Sequence, residues 1–294
     1  MGCMHGKRMI WAAMLVAGSS PAFAAQHWWQ RDKAAGTEAP APAAAEPVVT
    51  PSPITDHFVV RAIAIDGSVH TDAQVNDTRL GLAGTPYSAE QDFGMPDKVR
   101  QLRAEFTIRM RERSRLRVGA LDLSRQGSAV INQQIRFGNQ VYQAGERVNS
   151  TFDFRMFDFT YTYSFIRNDR FELGPGLGLH FVQTEATALV PTRQSREAFT
   201  GAGPYATLAL DGSWRFTRRF SFNARYQTLD LTISDVTANI YELNANVQFR
   251  FHRNLAVGAG YQKHSIHLDA PKSDPGGVLQ FDVGGPEIFL RASF

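Results

Sequence analysis

The chain has 294 residues, 43% of them hydrophobic, and a formal charge of +3. So small a net charge gives no bulk electrostatic basis for nucleic-acid binding. The single cysteine, Cys3, excludes a disulfide framework.

Residues 1–24 read as a signal peptide. Lys7 and Arg8 precede an apolar run from Met9 to Gly18, and Ala22-Phe23-Ala24 supplies a small-x-small cleavage site. The run is too short to span a bilayer, so cleavage is expected after Ala24. Cleavage removes two cations, takes the charge from +3 to +1 and leaves a cysteine-free mature chain. Cys3 precedes the apolar run, the wrong place for lipid attachment.

Residues 25–56 read as an Ala/Pro-rich periplasmic linker. Residues 39–53 are nearly all Ala, Pro, Glu, Val and Thr, which favours extended chain over a core. Trp28 and Trp29 read as flexible residues near the new N-terminus or, alternatively, as residues resting on a membrane interface.

From residue 57 to 294 the pattern is strict alternation, the mark of strands with two different faces. Leu102, Ala104, Phe106, Ile108 and Met110 oppose Arg103, Glu105, Thr107 and Arg109. Tyr241, Leu243, Ala245, Val247, Phe249 and Phe251 oppose Glu242, Asn244, Asn246, Gln248 and Arg250. Aromatics gather near the short turns: Phe157, Phe159, Tyr161, Tyr163 and Phe165, then Trp214 and Phe216, then Phe220 and Phe222. Such girdles belong at lipid–water interfaces. Ionised groups cannot face a dry sandwich core unpaired, but they can face the lumen of a barrel.

Short polar connections fall at 111–115, 167–170, 217–219 and 252–254. Longer excursions fall near 71–97, 124–150, 188–197 and 270–276, with one tight connection at 234–235. Short turns at the periplasmic end and long loops at the other are the outer-membrane asymmetry. The fold class expected is all-β, an antiparallel transmembrane up-and-down barrel of about ten strands, eight or twelve being the alternatives. Gly138-Asn139 reads as a hairpin tip that extends two strands beyond the membrane. One polarity is expected throughout the barrel, apolar outside and polar inside.

Alternation places Arg103, Glu105, Arg109, Arg117, Asp158, Glu172, His180, Asp211, Arg215, Arg225, Glu242, Arg250, Glu287 and Arg291 in the lumen. The two signs are nearly balanced, and a barrel of this size is narrow enough for side chains to fill. Interlocked ion pairs are therefore expected to plug it. His180 sits in a row with Gly174, Gly176 and Gly178, which leaves room for neighbours such as Arg225, Arg250 or Tyr205. It is a proton or ligand site on one reading and a space-filling hydrogen-bonding member on the other, which is favoured. His264 and His267, near Asp269, lie three apart and so point to opposite faces of a strand, which argues against a shared metal. No nucleophile elbow, phosphate loop or zinc-ligand cluster is present.

The chain ends with Ile288, Leu290, Ala292 and Phe294 alternating on one face, similar to the terminal strand that barrel-assembly machinery recognises in outer-membrane proteins. Three segments, 135–139 with 150–154, 158–165, and 173–180 (Leu-Gly-Pro-Gly-Leu-Gly-Leu-His), resemble uncharacterised proteobacterial small outer-membrane barrels, broadly similar to the OmpA and OmpW types. The resemblance implies fold and location, with outer-membrane lipid and lipopolysaccharide as surroundings, and no catalytic residues. The expected role is a non-enzymatic, cofactor-free barrel serving the envelope's structure or surface interactions. A small pore or transporter is the second reading and a rim hydrolase the third.

Overall fold

The computed structural model describes residues 52–77, 80–138, 140–192, 194–272 and 276–294. The expected signal peptide, most of the linker, Trp28, Trp29 and Asn139 lie outside them.

The described strands are β1 (Phe58–Val75), β2 (Tyr87–Ser88), β3 (Lys98–Arg111), β4 (Ser114–Val130), β5 (Ile135–Phe137), β6 (Gln140–Tyr142) and β7 (Arg147–Tyr163). There follow β8 (Ile166–Arg167), β9 (Phe171–Val190), β10 (Ser195–Arg215), β11 (Phe220–Ile233), β12 (Val236–His252), β13 (Leu255–Ala270) and β14 (Gly277–Ser293). All but β2, β5, β6 and β8 form one antiparallel barrel of ten strands, closed where β14 pairs with β1 and β9 with β10. Connections 112–113, 164–170, 216–219 and 253–254 lie at one end, the turn end, together with the start of β1 and the end of β14.

The barrel strands run 14 to 21 residues. The excursion expected over 124–150 shrinks to 131–146, and that over 188–197 to 191–194, because β9 and β10 stay paired up to Val190 and Ser195. On β12, Tyr241 to Phe251 is ten steps of about 3.4 Å; at a tilt of about 40° they rise about 26 Å, the height of an outer-membrane apolar band.

The expectation of one polarity throughout is wrong above that band. On β7, Phe157, Phe159, Tyr161 and Tyr163 point outward, while Asp158, Thr160 and Thr162 are buried inside. Nearer the loop end, Phe152, Phe154 and Met156 are the inward side chains and Arg155 faces out. The β4–β7 ladder runs unbroken from Ser114↔Tyr163 to Val130↔Arg147, so no bulge causes the swap. β4 changes in the same way at Leu121 and Leu123, and β14 at Phe281 and Val283. Once the wall leaves hydrocarbon, water outside demands polar groups, and the apolar surface turns inward.

The hairpin β5–β6 does not extend its neighbours outward. It forms its own two-stranded sheet with Gly138 at φ 56°, and it buries Ile135, Phe137 and Tyr142 beneath the loop end. Three apolar side chains on so short a hairpin have a better place inside the barrel mouth than in water.

Candidate functional site

The lumen has two chemically distinct halves. Toward the turn end it is packed with ion pairs that cross between strands on different sides of the wall. Arg103 on β3 donates to Asp158 on β7 at 3.0 Å and to Glu242 on β12 at 3.2 Å. Arg225 on β11 reaches Glu242 at 2.8 Å and Glu105 on β3 at 3.1 Å. Arg61 on β1 bridges Glu105 and Glu287, at 2.9 and 3.3 Å. Two bidentate pairs lie nearby: Arg109 with Glu172 at 2.8 and 2.9 Å, and Arg117 with Asp211 at 3.0 Å twice. Fixed fork geometry makes such pairs the most directional of ion pairs.

At the turn end Ser52 to His57 fold into the mouth. The Asp56 carboxylate accepts from both Arg250 and Arg291, Ile54 is buried, and Arg109 donates to the Pro53 carbonyl. The last residues of the expected linker are thus a cork. Sequence composition could not reveal this, because Asp56 follows a Pro-rich run and its two partners lie almost 200 or more residues away.

Of the residues placed in the lumen by alternation, thirteen are brought into this buried half. Arg215 is the exception: it lies on the inward face of β10 but half-exposed at the turn end, and it joins no ion pair among the described residues. Arg61, Arg115 and Asp56 belong to the network and were missed. Arg61 and Arg115 have the inward parity of Ile63 and Arg117, a signal that was present. His180 shares a hydrogen bond with Thr207 at 3.0 Å and stacks on Tyr205, rings 4.6 Å apart and 3° from parallel. The space over Gly178 is taken by Thr207, Gln227 and His180 itself, and Gly174 and Gly176 lie against the β7 end, so none of this room accommodates Arg225 or Arg250. His264 is buried inside next to Phe154, whereas His267 is on the outward parity. Among the described residues no cluster of three His, Cys, Asp or Glu is arranged to hold a metal.

Above His180 the lumen opens into a cavity of about 800 Å³. Phe154, Tyr205, Ile240 and Ile266 form its lower wall, and Tyr87, Phe93 and Phe137 its ceiling. The ceiling is aromatic packing: Tyr87 meets Phe93 edge-on at 5.0 Å and Phe137 at 5.7 Å. Burial there pushes the Tyr87 phenol up, with Tyr142 adding to the effect. The loop carrying Tyr87 is anchored by Arg125, which is fully buried, pairs with Glu90 and lies over the Phe152 ring at 5.1 Å. Among the described residues no Asp, Glu, Lys, Arg or His lines the cavity.

Neither a family model nor a curated protein matches the chain. Among solved structures it is similar to the outer membrane protease OmpT of Escherichia coli, with a TM-score of 0.56 and 12% identity over 81% of this chain and 97% of that one. The fold is that of an outer-membrane barrel. Looser matches are the Pseudomonas putida toluene transporter TodX, TM-score 0.34 and 8% identity over 81% of this chain and 90% of that one, and Neisserial surface protein A, TM-score 0.30 and 12% identity over 81% and 97%. These likenesses concern architecture alone.

Proposed function

We propose that this barrel resides in the outer membrane, does not conduct ions, and holds a small uncharged apolar molecule in its upper chamber. The observation that carries the reading is the cavity of about 800 Å³ with no charged side chain in its wall among the described residues, seated on a floor of interlocked ion pairs. Ligand pockets have this size and this largely apolar lining. An ion or a charged solute would lose its hydration there with no partner in return. The plugged lower half agrees with a closed barrel and disfavours the pore reading, since an open channel needs an unblocked path and one sign of charge in excess at its constriction. The reading includes no catalysis: His264 and His267 point to opposite faces and cannot work on one substrate. Outer-membrane lipid and lipopolysaccharide surround the apolar band, and Ile288, Leu290, Ala292 and Phe294 serve as the signal read by the barrel-assembly machinery.

A naphthalene-sized probe of ten carbons, at about 0.5 kcal/mol per heavy atom, gains about 5 kcal/mol and binds with a Kd near ~0.2 mM. Crystals soaked with millimolar 1-bromonaphthalene should show bromine anomalous density inside the chamber. Ala238→Trp, which fills the chamber from β12, should abolish it. Bromine found only on the outer belt, or nowhere, would refute the proposal.

A further inference from the structure

We propose that the seam between β10 and β11 is a lateral doorway through which the apolar molecule passes between the outer leaflet and the chamber; this rests on the binding function just proposed. The seam is a local failure of pairing. β9 and β10 pair without a break from Trp214↔Phe171 to Ser195↔Val190, and β11 and β12 pair from Phe220↔Phe249 to Ile233↔Val236. Between them, β10 and β11 pair only from Arg215↔Ser221 to Leu208↔Thr228. Above Leu208 the two strands part, each held by its other neighbour alone. Pro204, in the parted stretch of β10, has no N–H to offer a ladder.

The level of the parting fits this use. Leu208, Leu210 and Trp214 on β10 and Tyr226 and Phe222 on β11 are exposed apolar side chains of the outward belt, and the strands separate at the top of it. Unpaired backbone groups are intolerable within hydrocarbon but can be satisfied by water and headgroups at its rim. A molecule dissolved in the outer leaflet therefore meets the gap where it leaves the acyl chains. The lips are also suitable. Ala202, Pro204 and Ala206 lie on the outer side of β10, while Leu229 and Leu231 lie on the inner side of β11, and all five line the chamber. The one charge on that part of β11, Asp230, has the outward parity.

A second seam shows what closure looks like in this protein. β3 and β4 are paired only from Arg111↔Ser114 to Arg103↔Leu121, so they also diverge above the belt. There the β1–β3 connection fills the space: a Cβ added to Gly127 would fall 2.6 Å from the Phe93 carbonyl oxygen and 2.7 Å from the Met95 nitrogen. On the β10–β11 side, a Cβ added to Gly203 would meet nothing within 4 Å. From above, Ile135, Phe137 and Tyr142 of the hairpin are buried with Phe93, Val148 and Val190, and the Tyr142 hydroxyl ties the hairpin to the Ala188 carbonyl at 3.0 Å. Ion pairs close the floor. Among the described residues the seam is the breach that leads to lipid.

The test uses the full chain in lipid nanodiscs, with Cys3→Ser and a thiol reporter, Ile240→Cys, on the chamber wall. Uncharged N-phenylmaleimide is equilibrated with the lipid, a charged thiosulfonate reagent is supplied from water, and labelling rates are compared with and without Ala206→Trp. Ala206 is exposed on the outer side of β10 at the lip, so an indole there stands across the gap and not inside the chamber. The expected result is rapid labelling by the maleimide, slowing at least tenfold in Ala206→Trp, with slow labelling by the charged reagent in both. Gln143→Trp, on the outside of the hairpin cap, should leave the maleimide rate unchanged. Should Ala206→Trp fail the heat-modifiability test for folding, Ala202→Trp, also on the outer side of that lip, makes the same measurement. Unchanged maleimide labelling in a folded lip variant, or slowing by Gln143→Trp as well, overturns the doorway. If bromonaphthalene binds in crystals but the lip variants label normally, the doorway alone is wrong. If the lip variants slow labelling but no probe binds, the binding function is wrong.

Discussion

Arg103→Met tests whether the lower lumen is a dry, interlocked plug. Arg103 is buried, with its guanidinium 3.0 Å from Asp158, 3.2 Å from Glu242 and 3.5 Å from Glu105. After its loss Glu242 keeps Arg225, and Glu105 keeps both Arg225 and Arg61. Asp158 keeps no cation among the described residues and is itself fully buried. Methionine nearly preserves shape, so the packing cost should stay below about 1.5 kcal/mol. Breaking a buried pair on one side typically costs about 3–5 kcal/mol, because a charge is left uncompensated. The expected loss is therefore about 4 kcal/mol. Adding Asp158→Asn removes the stranded charge and should recover about half, a coupling of about 2 kcal/mol in a double-mutant cycle. Guanidinium titration in phospholipid vesicles, followed by the electrophoretic shift between folded and unfolded barrel, measures all four corners. A single-mutant loss below about 0.5 kcal/mol would mean that water reaches and screens these charges. The plug would then not be dry, and the expected absence of unitary conductance steps from the unmodified protein in planar bilayers would lose its basis.

Two further outcomes follow from the ends of the chain. Asp56→Ala leaves Arg250 and Arg291 without their shared carboxylate, so the segment from Ser52 to His57 should leave the mouth and become cleavable by proteinase K while the barrel resists. Unaltered protection would show that Ile54 and the carbonyl contacts hold the cork by themselves. Deleting Phe294, which exchanges backbone hydrogen bonds with Phe58 and leaves its ring exposed, should cut the yield of heat-modifiable barrel several-fold in exporting cells. In vitro refolding into detergent should change far less, and equal losses in both would assign the residue to closure of the barrel instead of assembly.

Much of the wall was legible because a period of two is a strong signal and the cost of burying charge is large. Leu102 to Met110 could be divided into faces with no knowledge of their partners, and Arg103, Glu105 and Arg109 fell inside. Pairing itself was not legible. Nothing local distinguishes Arg109, bidentate to Glu172, from Arg215, which lies on the proper face but at a height where, among the described residues, no carboxylate waits. The cork was hidden for a related reason: composition describes residues 39–53 well and says nothing of the next few, whose order depends on arginines contributed by β12 and β14.

The chamber was missed for a different reason, and a signal for it existed. Strands that cross only hydrocarbon keep their apolar residues on one parity. Here the parity reverses within single strands, at Met156 and Phe157 on β7, at Ala120 and Leu121 on β4, and between Val283 and Ile288 on β14. With no bulge in the β4–β7 ladder, a reversal can only mean that the solvent on the two sides of the wall has been exchanged. A barrel that obeys this rule must be lipid-facing and polar-filled below, water-facing and apolar-cored above. Ten strands enclose more interior than the inward apolar side chains of the upper half fill, and the loops that descend from above close it without filling it. The same reversal therefore accounts for the site: it marks the height at which hydrocarbon ends, and that is where β10 and β11 part.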